Sequence, residues 1–283
     1  MATKVQQMYE YPPFANLLKH SVSQKTASAN DKNDYCLMAS CNANGSPCMN
    51  KVVLLDILAS DPRILLFAGQ VKNADLMAVC KVSPSHEIHV SRGDDVFILS
   101  GKINVVASHV VSSRFRPPRL IQLPDDASDP DEFWDNERLR QWKKLNQGFR
   151  STFTWPNPGE IAKPRFSHLI STVDVGFRYL KLDAITETKT PQSSIMGAPG
   201  VAGNNGKEGA RNNLGGMIGS TSGIPLSRDE ELRMVHDAAL DNFALLVFKI
   251  TRVDHLDQSE MPPRRTLFEM SKDGTWSFSE INP

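Results

Sequence analysis

The chain has 283 residues, 40% apolar and 23% charged, with 32 Lys plus Arg against 32 Asp plus Glu. That length is enough to bury a full core, and the neutral balance removes the electrostatic ground for a nucleic acid or an anionic membrane surface as partner. No apolar run approaches the roughly 20 residues that span a bilayer, and the opening MATKVQQMYEYPPF has no apolar segment behind Lys4, so a cytoplasmic protein without a membrane partner is expected.

Residues 1–34 read as a short amphipathic helix around Phe14, Leu17 and Leu18 followed by a polar loop, SQKTASANDKND. From Tyr35 the character changes. Strands are expected at 35–40 and 48–58, joined through a turn containing Asn44-Gly45. A third strand at 64–68 follows Asp61-Pro62, and a short helix is expected over 73–81. Strands at 86–90 and 96–106 flank the turn Arg92-Gly93-Asp94. Five strands with one short helix is the density of a barrel or sandwich.

Over 131–147 the period becomes helical, with Leu139, Trp142 and Leu145 on one stripe. The next stretch, FRSTFTWPNPGE, is rich in aromatics and prolines and is expected as a fixed loop. Nine of the 17 glycines then fall between Gly197 and Gly223. Such a composition cannot bury enough apolar surface to offset the entropy of ordering it, so 184–224 reads as a Gly-rich flexible insertion. It contains no phosphate loop: Val201 stands at the first Gly of the required pattern, and Glu208 follows Lys207. Ser227 and Glu230 form a capping box that opens a helix to about Leu240. A long strand at 243–256 and two more, RRTLFEM and TWSFSEI, complete an antiparallel meander. Cys36, Cys41, Cys48 and Cys80 lack a paired spacing or a nearby His, so they read as buried reduced thiols, with no metal site.

The tail NFALLVFKITRVDHLDQSEMPPRRTLFEMSKDGTWSFSEINP resembles the C-terminal signature of the pyridoxamine-5′-phosphate-oxidase-like FMN-binding proteins. There, a long strand precedes a Pro-rich turn with a basic pair, and the last strand carries a Trp and ends in Asn-Pro. Trp142, Leu145, Arg150, Phe153, Trp155, Pro156, Pro158 and Gly159 match a pattern of the branch found in fungi, plants and cyanobacteria. The order of elements agrees too, from the Gly45, Pro47 hairpin through a Val-Val strand and a short helix to Ser100-Gly101. The resemblance covers 35–183 and 242–283.

It implies a mainly β, α+β fold with flanking helices: a six-stranded split β-barrel formed by 35–183 and 225–283, homodimeric, with FMN at the subunit interface. Carried onto this chain, the FMN positions are Asn50, Lys51, Val52 and Val53 on the second strand, Lys72 and Asn73 at the helix start, Ser100, and Arg265. A dianionic phosphate favours guanidinium forks, ammonium groups and helix N-terminal amides. This chain departs from that pattern. The family's second-strand Arg falls on Asn50, a second basic position on Leu55, and a fifth-strand Arg on Ile98. The substrate-binding Arg-x-His of true oxidases falls on Met261 and Pro263.

Each position also has a plain structural reading. Lys72 and Asn73 are a phosphate cradle or a solvated helix start; Lys51 is a ligand or a residue of the outer sheet face. Arg265 faces the flavin or is an exposed strand-start arginine. Arg150 is a site cation or stacks on Trp155. Trp142, Trp155 and Trp276 read as core and interface packing, Ser100-Gly101 as a bulge, and His255 as a structural histidine. Two functions therefore stand side by side: an FMN-dependent oxidoreductase acting on a small molecule, and a degenerate split-barrel dimer that has lost FMN. A third is another planar ligand, such as haem, in the same pocket.

Overall fold

A computed structural model of the chain describes residues 8–23, 35–108, 129–157, 161 and 236–283. Its strands are β1 Tyr35–Cys41, β2 Pro47–Ile57, β3 Ile64–Gln70, β4 His86–Arg92, β5 Asp95–Val106, β6 Phe243–Asp257, β7 Arg264–Met270 and β8 Trp276–Ile281. The helices are α1 Ala15–Ser23, α2 Ala74–Val82, α3 Pro130–Lys144, α4 Gln147–Ser151, which runs on as a 3-10 turn Thr152–Thr154, and α5 at 236–242. All strand pairings are antiparallel, in the order β3-β2-β1-β4-β5-β6-β7-β8. A further pairing of β3 with β6 closes the first six into a barrel. The split barrel expected from the resemblance is the fold of this chain.

Alternation along each strand sorts side chains between two cores. Val52, Leu54, Leu65, Phe67, Ile88, Val90, Phe97 and Leu99 point into the barrel, together with Leu246, Phe248 and Ile250 of β6. Leu76, Met77 and Cys80 of α2 join this core, as do Phe14 and Leu18 of α1. Phe14 meets Trp276 edge-on at 4.9 Å, and Tyr9 exchanges two backbone hydrogen bonds with Trp276. Outside, Ile64 and Leu66 of β3 with Phe243, Leu245 and Val247 of β6 pack under Trp134, Trp142 and Phe153. The β6 run FALLVF is buried on both faces, which is why it reads as a continuous apolar segment rather than an alternating one.

Two register shifts re-aim side chains. Between β2 and β3 the register slips at Leu55, so that Asp56 pairs with Leu66 on the outer face. There it accepts hydrogen bonds from Lys144 Nζ (2.6 Å), Arg140 (3.2 Å) and Gln141 (3.2 Å), which fix α3 across the barrel wall. Burial pushes the Asp56 carboxyl up, but these three partners outweigh it and hold it below the ordinary range. Between β5 and β6 the shift lies at Ser100-Gly101, leaving Thr251 as the extra residue, its Oγ1 donating to the Ser100 carbonyl at 3.2 Å.

Several expectations need correction. The buried side of α3 carries Trp134, Glu137, Arg138, Gln141 and Trp142, whereas Leu139 is half-buried. Polar groups are admitted because Arg138 donates to the Leu240 and Phe243 carbonyls and Gln141 donates to Glu137. The stretch expected as a fixed loop starts helically, since the Asn146 side chain caps α4 by accepting from Phe149 N at 2.8 Å. Cys36 and Cys80 are buried free thiols, pushed up to about 12 by burial, but Cys41 is exposed. The Gly-rich stretch 184–224 and the capping box at Ser227 lie outside the described residues.

A Cβ on Gly101 would overlap the Lys249 carbonyl oxygen and lie 2.9 Å from its carbon, and backbone cannot yield as a side-chain tip can. Gly101→Ala is expected to cost about 3 kcal/mol or more by urea denaturation. Gly45→Ala, at φ +80 in open space, costs only about 1–2 kcal/mol.

Inside the barrel, His86 Nδ1 and Ser40 Oγ share a hydrogen bond of 2.8 Å, and burial pushes the His86 imidazolium down from 6.5 to about 4. Between those two values an unfolded chain binds the proton and the folded chain does not. Stability therefore falls as pH falls through that window, by up to about 3 kcal/mol. Urea denaturation from pH 7 to 4 is expected to show this slope, and His86→Gln to remove that share of it.

Candidate functional site

A cavity of about 680 Å³ opens largely on the outer face of β1, β2 and β3, between the start of α2 and the α4 segment, with Asn50 and Leu76 bordering it from the side of the barrel core. Its floor is set by register: Tyr35 lies opposite Val53, and Val53 opposite Ala68. Leu37 faces Lys51 across the same ladder, so Lys51 and Tyr35 are diagonal neighbours on one face. The Lys51 ammonium sits over the Tyr35 ring at 3.8 Å. The opposite wall comes from α4 and its 3-10 turn, which bring in Phe149, Phe153 and Trp155. Phe149 meets Phe153 edge-on at 5.5 Å, which fixes that wall against the outer core.

The polar lining is made largely of carboxamides: Asn50, Gln70, Asn73 and Asn146. Asn73 caps α2, its Oδ1 accepting from Leu76 N at 3.1 Å, as Asn146 caps α4. With the oxygen so occupied, each offers its NH2 as a donor. Lys51 is the one cationic side chain among the described residues of the lining, which include no carboxylate.

Of the positions read from the sequence, the cavity brings together Asn50, Lys51, Val53 and Asn73. The others lie elsewhere. Val52 alternates inward and is buried in the barrel core. Lys72 is exposed outside the lining, and its backbone N–H donates to Asn242 Oδ1 at 2.8 Å. Ser100 stands on the outer face of β5, its Oγ donating to Glu87 at 3.3 Å. Arg265 donates twice to Asp254, Nε and Nη2 each at 2.9 Å. That fork is what chiefly holds the Asp254 carboxyl below its ordinary range.

Arg150 is buried, its guanidinium 5.9 Å from the ring centre of Trp142 rather than stacked on Trp155. Trp155, read from the sequence as packing, is 40% exposed and lines the cavity, whereas Trp142 and Trp276 are fully buried. His255 is structural: its Nε2 lies 2.8 Å from Asp95, and its ring stacks on Phe97 at 4.4 Å. Sequence reasoning missed Tyr35, Gln70, Asn146 and Phe149 as lining residues. The readable signal was Asn146 as a cap after a helix of basic last turn, which sets the α4 wall.

No protein-family model matches this chain, and no curated protein matches its sequence. Among solved structures it is similar to a pyridoxamine 5′-phosphate oxidase-related, FMN-binding protein from Nostoc punctiforme PCC 73102. The identity is 18% and the TM-score 0.57, over 96% of this chain and 98% of that one. It also matches PhzG from Burkholderia lata 383, solved with tetrahydrophenazine-1-carboxylic acid, at 10% identity and TM-score 0.48, over 96% of each chain. The fold shared with the Nostoc protein is that of the split barrels the sequence resembles. None of the described helices is long and apolar enough to cross a membrane, and no group of His, Cys, Asp or Glu among the described residues is placed to hold a metal ion.

The contrast between two adjacent residues is testable. Asn73→Ala removes the α2 cap and is expected to cost about 1 kcal/mol. Lys72→Ala, at an exposed side chain, is expected to stay within about 0.5 kcal/mol. Denaturant midpoints of the two variants check this.

Proposed function

We propose that the chain is a flavin-binding protein of the pyridoxamine-5′-phosphate-oxidase-like kind, an FMN-dependent oxidoreductase that works as a homodimer on a small-molecule substrate. The observation that carries this reading is convergence. Asn50, Lys51 and Val53 from β2 and Asn73 from the α2 cap, chosen from the sequence as flavin positions, border one cavity with four aromatic rings. Its volume is in the range of small-molecule and cofactor sites. The Nostoc protein of the same fold is described as FMN-binding.

The lining fits a flavin ring system: Tyr35 and Trp155 offer flat apolar surface, Val53, Ala68 and Leu76 a non-polar floor, and Asn50 and Gln70 donors and acceptors for ring edges. A flavin bound there supplies hydride or electron transfer at its N5. The residues of this chain bind and orient it and keep water from its apolar side. Among the described lining residues no side chain is given an acid or base role. The dimer is supported by the outer face of β1 and β2 beside the cavity, where Leu37 and Met49 are 45% and 67% exposed.

A second reading, a split barrel that no longer holds FMN, is favoured by the basic positions. Arg265 is paired with Asp254, and Lys72 stands outside the cavity. The visible absorption spectrum separates the two. Purified protein mixed with FMN and desalted is expected to keep the flavin bands in about one equivalent per chain, and sedimentation to give twice the chain mass. A colourless protein after desalting supports the second reading.

A further inference from the structure

The cavity is well matched to one end of FMN and poorly matched to the other. Flat and apolar groups are plentiful. A phosphate dianion, by contrast, needs several cations or charge-assisted donors arranged around it. Among the described lining residues the only one is the Lys51 ammonium, already placed over the Tyr35 ring. The neighbouring polar groups are carboxamides, which suit hydroxyls and ring amides and give a dianion only neutral donors. Asn73 caps α2, so the first-turn amides of that helix are partly occupied by the protein's own side chain. Two guanidinium groups outside the lining are held by acids of their own, Arg265 by Asp254 and Arg140 by Glu137 and Asp56.

Resting on the flavin reading, we propose that this site recognises its ligand through the ring and the hydroxylated chain and not through the phosphate, so that it takes an unphosphorylated flavin as readily as FMN. Asn50 is the determinant on the β2 wall: it lines the cavity, and a carboxamide there hydrogen-bonds neutral oxygens where a guanidinium would select the dianion.

Equilibrium dialysis of the purified chain against riboflavin and against FMN tests this. The expected result is two dissociation constants within about threefold, whereas phosphate recognition by even one good charge-assisted contact gives about tenfold or more. The variant Asn50→Arg is expected to move the ratio at least about tenfold toward FMN. Wild-type protein that prefers FMN by more than about tenfold overturns the inference while leaving the flavin reading intact. A folded Asn50→Arg, checked by circular dichroism, that leaves the ratio unchanged overturns the role given to Asn50. Binding of neither flavin overturns the flavin reading and this inference with it.

Discussion

The structure depends on the way β6 divides its hydrogen bonds. It pairs with β3 on one edge over Phe243–Lys249 and with β5 on the other from Leu245 onward, which closes the barrel and leaves no free edge where the two overlap. Beyond the Thr251 bulge the same strand turns its free edge to β7, from Arg252 to Asp257. A strand of regular register could not serve both: the extra residue changes the face on which successive side chains fall. Ile250 points inward before the bulge and Val253 after it, so the core stays continuous while the strand bends out of the barrel. Gly101 is the matching concession on β5, where the backbones approach too closely for a side chain.

Closure in turn places the cavity. Because β3 is tied to β6 on one side and to β2 on the other, its outer face is shared between two tasks. Ile64 and Leu66 are covered by α3, while Ala68 and Gln70, nearer the end of the strand, are left for the site. The ion-pair cluster at Asp56 holds α3 over the first half only. Past the end of α3 at Leu145, the Asn146 cap turns the chain into α4, and that change of direction leaves room for a ligand under Phe149 and Trp155.

Most of this fold could be read from sequence because strand periodicity and turn chemistry are local. The alternation in HEIHV and the Asn44-Gly45 and Asp61-Pro62 turns mark elements that the structure places where expected. On α3 the expected Trp142 and Leu145 are buried, but the polar residues beside them were not foreseen, because the burial of Arg138 and Gln141 depends on partners far along the chain, the carbonyls of Leu240 and Phe243 and the Asp56 carboxylate. Tyr35 and Trp155 were missed as cavity residues for a related reason. Whether an aromatic side chain packs or lines a cavity is decided by what lies opposite it. For Tyr35 that depends on the α4 turn, more than a hundred residues further on, and for Trp155 on the strands β1–β3 that closure of the barrel sets opposite it.

That the described lining of the cavity holds a single cation also has a source in the fold. Around this barrel the basic side chains hold the elements together: Arg63 on Asp61 at the start of β3, Arg138 on the carbonyls that end α5, Arg140 and Lys144 on Asp56, and Arg265 on Asp254 between β6 and β7. Several of these partners are largely buried, and a carboxylate left without its cation there costs more than a surface pair is worth. Such arginines cannot turn toward a ligand without stranding the acid they satisfy. A chain with equal numbers of basic and acidic residues, pairing them across its joints in this way, leaves the described lining of this cavity largely to aromatic rings and carboxamides. Those groups can be placed next to a ligand without a counter-charge of their own, and they recognise shape and hydrogen-bond pattern rather than charge.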